Sequence, residues 1–383
     1  MHPAGDGPSN ERFSTEEAEM ILERFKVPAK DQVLVSEAAL RRTVTQIFEK
    51  LGLSPEDSAE GADVLTMTDL RGVETHGVSN MLRAYVRDYK AGKLDPRPGW
   101  RVMRESPGTA VIDAERRLGI MIGPKAMRLA VDKARNVGVG VVTVYNSGHF
   151  GAIGYYAMQA ALQGMVGVCF TGAGLSVVPT FASKPLLGTN PIALAAPARH
   201  EAPMLFDAAT SAIAGNKIRL AIRVGSPLLP GWVTDKDGNP VMEEKPVFNR
   251  DEYHQAPLGG TREQGSHKGY GFALMAEVLS TVLAGALPTM LAPASGSKNH
   301  FAAYNIEAFT DVEQFKDTMD EMLKTLRTAK PVPGQDRVLY PGLSESEEIQ
   351  TRRANGIPLH KEVLQWFAEC TSELGIAPLV AKS

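Results

Sequence analysis

The chain has 383 residues, 43% hydrophobic and 22% charged, which excludes disordered, fibrous and low-complexity classes and leaves room for two or three domains. A net charge of −3 without any run of Lys and Arg excludes the electrostatic footprint of a nucleic-acid binder. The two cysteines, Cys169 and Cys370, lie far apart in apolar stretches and read as small buried hydrophobes of a reducing, cytoplasmic protein.

In chain order, residues 1–35 form a tail whose start is polar, Gly- and Pro-rich and without the apolar core of a secretory signal. Helical spacing follows over 36–51, and Ser54-Pro55-Glu56-Asp57 starts a second helix running to Arg71, since Ser caps, Pro suits the first turn and acids oppose the helix dipole. A third helix is expected over 81–91, making 36–105 a helical part. From Thr109, β-branched runs at 110–112, 139–144, 165–170 and 192–196 alternate with helical segments at 123–136, 152–162, 211–224 and 268–286, so 106–310 reads as a mixed α/β domain. Turn chemistry makes 227–240 a surface excursion. Helices at 311–329 and 358–374, joined by a Pro- and Gly-rich linker at 330–342, make 311–383 a C-terminal helical part expected to pack on the N-terminal helices. The apolar stretch 272–287 is interrupted by Glu277 and too short to span a bilayer, so no membrane partner is expected.

His149 lies in Tyr145-Asn146-Ser147-Gly148-His149-Phe150-Gly151, between a predicted strand and a predicted helix, where α/β proteins place ligands. An imidazole there either moves a proton near neutral pH or caps the helix. His76, in Glu74-Thr75-His76-Gly77-Val78, sits in a turn between helices and has the same two readings. Around it, Arg71, Asn80, Arg83 and Tyr85 are candidate substrate residues, because a guanidinium grips a carboxylate with two hydrogen bonds, although such an Arg also serves as a solvated helix face. His267-Lys268-Gly269 opens a helix and offers N–H groups and an ammonium to a phosphate or carboxylate, or is an ordinary glycine-rich entry. Gly172-Ala173-Gly174 lacks the third glycine of a dinucleotide fingerprint, and neither metal-ligand spacing nor a serine nucleophile elbow is present.

Taken in order, Thr75-His76-Gly77-Val78, Asn146 to Gly151, Leu186-Leu187-Gly188-Thr189-Asn190-Pro191, Phe206 to Ser211, His267 to Gly271 and Tyr340-Pro341-Gly342 make residues 36–342 resemble the NAD(P)-dependent malate/L-lactate dehydrogenase-like family. The resemblance implies an α/β fold with a non-Rossmann mixed-sheet cofactor domain, an α-helical domain built from both termini, and a homodimer. It implies that NAD or NADP is held by Asp207, Ala208, Ala209, Thr210 and Ser211, by the loop at Asn190, by His267 and Lys268, and near Gly342. His149 would transfer a proton and His76 orient the substrate, or the reverse, as hydride passes between NAD(P)H and a small 2-oxo or 2-hydroxy acid, or a cyclic imino acid. There are departures: Asn80 stands where many members carry Arg, and Ala182-Ser183 where a glycine pair is usual. They leave a second reading, a catalytically silent relative that binds a small acid or acts as a structural partner.

Overall fold

The structure, a computed structural model, describes residues 24–97, 99–293 and 296–382. Most of the expected tail therefore lies outside the described residues, but its end, Gln32–Val35, forms a strand, β1. Ser36 and Ser54 accept the N–H groups of Ala39 and Asp57, capping α1 (Glu37–Lys50) and α2 (Pro55–Leu70) where the sequence starts them. The next helix, α3 (Val78–Lys90), begins ahead of the expected residue 81, because its first free N–H, on Val78, is taken at 2.8 Å by Asp69 of α2.

A seven-stranded mixed sheet forms the centre, in the order β2 (Arg101–Glu105), β3 (Thr109–Asp113), β4 (Val139–Ser147), β10 (Ser297–Asn305), β5 (Met165–Gly172), β6 (Ile192–Ala196) and β7 (Met204–Ala208). Only β3 and β4 run parallel, joined by α4 (Gly119–Val137), and every other neighbouring pair is antiparallel. α5 (Gly154–Ala161) connects β4 to β5 and packs on β5 and β6. No helix opens after Gly172, whose neighbour Ala173 instead donates its N–H to Asn190.

Beyond β7 come α6 (Gly215–Val224) and a two-stranded ribbon of β8 (Val233–Thr234) and β9 (His254–Gln255). Phe25, Ile218, Leu220, Leu228 and Val233 bury a small core of their own here. The 227–240 segment is thus not merely a surface excursion: its apolar residues fill that core. α7 (Ser266–Glu277) gives way to a π-helical turn, Val278–Val282, short of the expected residue 286. The chain ends with α8 (Val312–Arg327), α9 (Leu343–Asn355), β11 (Ile357–His360) and α10 (Lys361–Leu374). β11 pairs antiparallel with β1, which ties the two ends of the chain together. One buried apolar cluster runs from Val35, Leu40 and Phe48 through Leu65 and Leu82 to Ile112, Val142 and Phe301 of the sheet and on to Ile357 and Phe367. Among the described residues no helix is long and apolar enough to cross a membrane.

Candidate active site

His149 follows the end of β4, and His76 occupies the turn between α2 and α3. The fold stacks their half-buried rings, with centroids 5.7 Å apart and planes 15° from parallel. His149 Nδ1 accepts the Gly151 N–H at 3.0 Å and lies 2.7 Å from the hydroxyl of buried Tyr85. A backbone N–H can only donate, so Nδ1 keeps its lone pair and the neutral ring carries its proton on Nε2. Burial, reinforced by the neighbouring His76, holds His149 down to about 3, and burial alone holds His76 down to about 4. Both rings are therefore neutral at pH 7. Thr75 Oγ1 sits 2.9 Å from His76 Nδ1.

The turn carrying His76 is assembled around Asp69 and Arg352, which sequence reading did not single out. Asp69 is fully buried, caps α3 through Val78, and has its carboxyl raised to about 7 by loss of solvent. Gly77 passes so close that a Cβ there would lie 1.9 Å from Asp69 Oδ1. From α9, Arg352 donates to the Asp69 carbonyl at 2.9 Å and lies 3.5 Å from Glu74, clamping both ends of the turn. Nothing in the local pattern marks Asp69 or Arg352, because the carboxylate and the guanidinium meet the glycine of the turn only in three dimensions.

Beside His76 opens a pocket of about 280 Å³, walled by Thr189, Asp207, Ala208, Ala209, Ser211 and Leu258. Thr210 fastens two walls together, its N–H and hydroxyl donating to the Thr189 carbonyl at 2.8 and 3.0 Å. Asp207 accepts the Gly154 N–H at 2.7 Å at the start of α5, and burial raises its carboxyl to about 6. Asn190 does not face this pocket. It is wholly buried and holds the loop from behind, accepting from Ala173 at 2.9 Å and donating to the Ala273 carbonyl and Glu277 at 3.1 and 2.9 Å. Gly342, at φ +96°, packs against Leu205 of β7, the strand that delivers Asp207. His267 and Lys268 are exposed on the first turn of α7.

The candidate substrate residues divide. Tyr85 joins His149, whereas Arg71 lines a small adjoining hollow with Asp207 and Glu345. Asn80 and Arg83 line a separate hollow between α3 and α6. There Arg83 pairs with Glu362 at 2.6 Å, and the Asn80 amide donates to the Glu74 carbonyl at 2.7 Å and accepts from Arg223 at 3.2 Å. Arg223, from α6, is a further residue that only the structure reveals. Ala182 and Ser183 line yet another hollow, with Thr261 and Ser266.

This geometry can be set beside known proteins. The malate/L-lactate dehydrogenase family profile matches residues 35–367. The chain belongs to that family. Among other relatives, this malate/L-lactate dehydrogenase family member is 38% identical to a malate dehydrogenase of Pyrococcus abyssi over 88% of its own length and 93% of the relative's. It is 34% identical to an L-sulfolactate dehydrogenase of Methanocaldococcus jannaschii, over 88% and 96% of the two chains. The crystal structure of malate dehydrogenase from Entamoeba histolytica superposes with a TM-score of 0.85 at 31% identity, covering 90% of this chain and 99% of that one. The family match, residues 35–367, takes in all seven strands of the central sheet.

Proposed function

We propose that this protein is an oxidoreductase that transfers a hydride between NAD(P)H and a small 2-oxo acid, the reverse direction oxidising the 2-hydroxy acid, with a cyclic imino acid as the alternative acceptor. One observation carries the reading: two neutral imidazoles from separate loops stack beside a pocket walled by the end of β7 and the residues after it. The residues suit the nicotinamide end of a dinucleotide, since Ala208 and Ala209 present only methyl groups to the pocket and about 280 Å³ accommodates a ring with its sugar. Thr189, Ala208, Ala209 and Ser211 would hold that end, with Asp207 and Thr210 fixing the walls and Lys268 and His267 meeting phosphate at the start of α7. Bound there, the cofactor supplies the hydride. We assign the Nε2–H of His149 to the substrate oxygen as a hydrogen-bond donor, where negative charge builds as hydride reaches carbon, and the proton that completes the hydroxyl comes from solvent, since the neutral ring has none to give up. Tyr85 and the Gly151 N–H hold that ring from its other nitrogen, and His76 orients the substrate.

The same proposal includes the domain division 36–105, 106–310 and 311–383, the non-Rossmann mode of cofactor binding, a cytoplasmic setting and a homodimer. Free, buried Cys169 and Cys370 support the reducing compartment. Exposed Phe272, Met275, Val278, Val282 and Leu283, along α7 and its continuation, support the dimer, as a soluble monomer seldom leaves such a stripe uncovered. Fluorescence titration with NADH and NADPH tests the cofactor, and a panel of 2-oxo acids and cyclic imines assayed with each tests the reaction. Turnover in the wild type that drops by about 10² or more in His149→Ala, with cofactor binding retained, is expected. Absence of binding by both nucleotides refutes the proposal. The second reading, a silent relative, draws on Asn80, whose amide is engaged on both sides and cannot grip a carboxylate. Turnover on any member of the panel removes it.

A further inference from the structure

The hollow between α3 and α6 has features that the hydride-transfer reading does not use. It measures about 480 Å³, the size of a small-molecule site, and it is distinct from the pocket beside His76. Arg83 and Arg87 project into it from successive turns of α3, and Arg219 and Arg223 from successive turns of α6. That spacing of four residues puts each pair on one helix face, so two rigid helices aim four guanidiniums at a common space. Acids balance them incompletely. Arg83 and Arg223 share Glu362, at 2.6 and 3.5 Å, and Arg87 pairs with its chain neighbour Asp88 at 3.0 Å. Arg219 has no ion pair or side-chain hydrogen bond among the described residues, and the nearby Arg250, Arg87 and Arg223 repel it while Asp251 offsets part of that repulsion. His360 lines the same hollow and is held below its ordinary value, chiefly by burial. Like charges gathered this way weaken the fold unless an anion joins them.

We propose that this hollow is a second ligand site, built for a compact anion of two or more negative charges whose planar or tetrahedral oxygens are gripped by Arg219, Arg223 and Arg87. Guanidinium forks match carboxylate and phosphate oxygens two at a time, which a lysine patch would not do. The rear wall is already ordered, since Arg223 is anchored to the Ser79 carbonyl at 3.0 Å and to Asn80 at 3.2 Å, so little side-chain freedom is lost on binding. Through Asn80, which also bonds the Glu74 carbonyl, the site touches the turn that carries His76.

The proposal stands independently of the dehydrogenase reading, and its test needs no turnover. Isothermal titration calorimetry of the full chain with inorganic phosphate and, separately, with citrate, each against chloride at matched ionic strength, decides between phosphate and carboxylate recognition. Saturable binding of one equivalent is expected for at least one of the two. In Arg219→Gln, an exposed position outside the pocket beside His76, the dissociation constant rises by about tenfold or more, while the melting temperature without ligand is unchanged or higher. A double variant, Arg87→Gln with Arg219→Gln, abolishes saturation. Heat no greater than that of chloride for both anions overturns the proposal, and so does binding that Arg219→Gln leaves unaltered.

Discussion

Replacing Gly77 by Ala tests how the turn of His76 is built. The backbone at Gly77, φ −82° and ψ −168°, is open to any residue, so the cost of the methyl is steric alone. That methyl would sit 1.9 Å from Asp69 Oδ1 and 2.3 Å from its Cγ, distances that force the carboxyl to swing away. The swing breaks the 2.8 Å bond from Val78, a hydrogen bond to an ionisable group worth about 1.5–3 kcal/mol, in a side chain with no exposed surface. The Asp69 Oδ1 atom already has no hydrogen-bond partner among the described residues, so the displaced group finds no compensation nearby. We expect a loss of about 3 kcal/mol, read by urea unfolding at pH 7.5, together with loss of whatever activity depends on His76. Asp69→Ala removes the obstacle along with the cap. In that background the added methyl should cost below about 1 kcal/mol, a strongly non-additive cycle. Equal costs in the two backgrounds, or a cost below about 1 kcal/mol in the wild type, refute the steric argument.

Further outcomes follow from the same geometry. Tyr85→Phe leaves Gly151 on His149 Nδ1 but removes the hydroxyl at 2.7 Å, so unfolding free energy falls by about 1 kcal/mol and kcat on the best 2-oxo acid falls by about tenfold or more, KM changing less; an unchanged kcat refutes the orienting role. His76 and His149 titrate near 4 and 3 when folded against 6.5 unfolded, so the unfolded chain binds the extra protons between those values and their contribution to stability fades as pH drops below 6.5. Asp69 and Asp207, raised to about 7 and 6, act in the opposite direction as pH rises from 3.8, so the comparison is with the His76→Gln, His149→Gln double variant, against which the wild type should lose ground between pH 7 and 5 in chemical denaturation. A gap independent of pH refutes it. Gly342→Ala combines a φ of +96° with a Cβ 2.7 Å from the Leu205 N atom, so a loss of about 2 kcal/mol and weakened nucleotide binding through β7 are expected in melting and titration experiments.

Much of this architecture is legible along the chain, and the exceptions have physical causes. Ser54-Pro55 and Ser36 declare the starts of α2 and α1 because a cap is a local transaction between neighbours. The 192–196 run is a strand with those same bounds. By contrast β10, the middle strand of the sheet, escapes notice: Lys298, Asn299 and His300 are all buried there, and its partners β4 and β5 lie more than a hundred residues upstream. β7 and α9 are not legible as elements either, the first hidden inside a motif and the second polar along most of its length. In the site, the two histidines were visible because glycines flank them, and the structure stacks them together. Asn190 shows the opposite case, since a residue placed by its motif at a ligand loop proves to have its amide turned inward. Asp69, Arg352, Arg219 and Arg223 carry no motif at all.

Arg352 has a consequence for how the protein matures. The guanidinium that fastens Asp69 and Glu74 comes from α9, so during synthesis the His76 turn has no clamp until the ribosome has passed well beyond that helix. The His76 turn is therefore completed from far along the sequence: a product truncated ahead of Leu343 could hold every strand of the central sheet and still lack the guanidinium that joins Asp69 to Glu74.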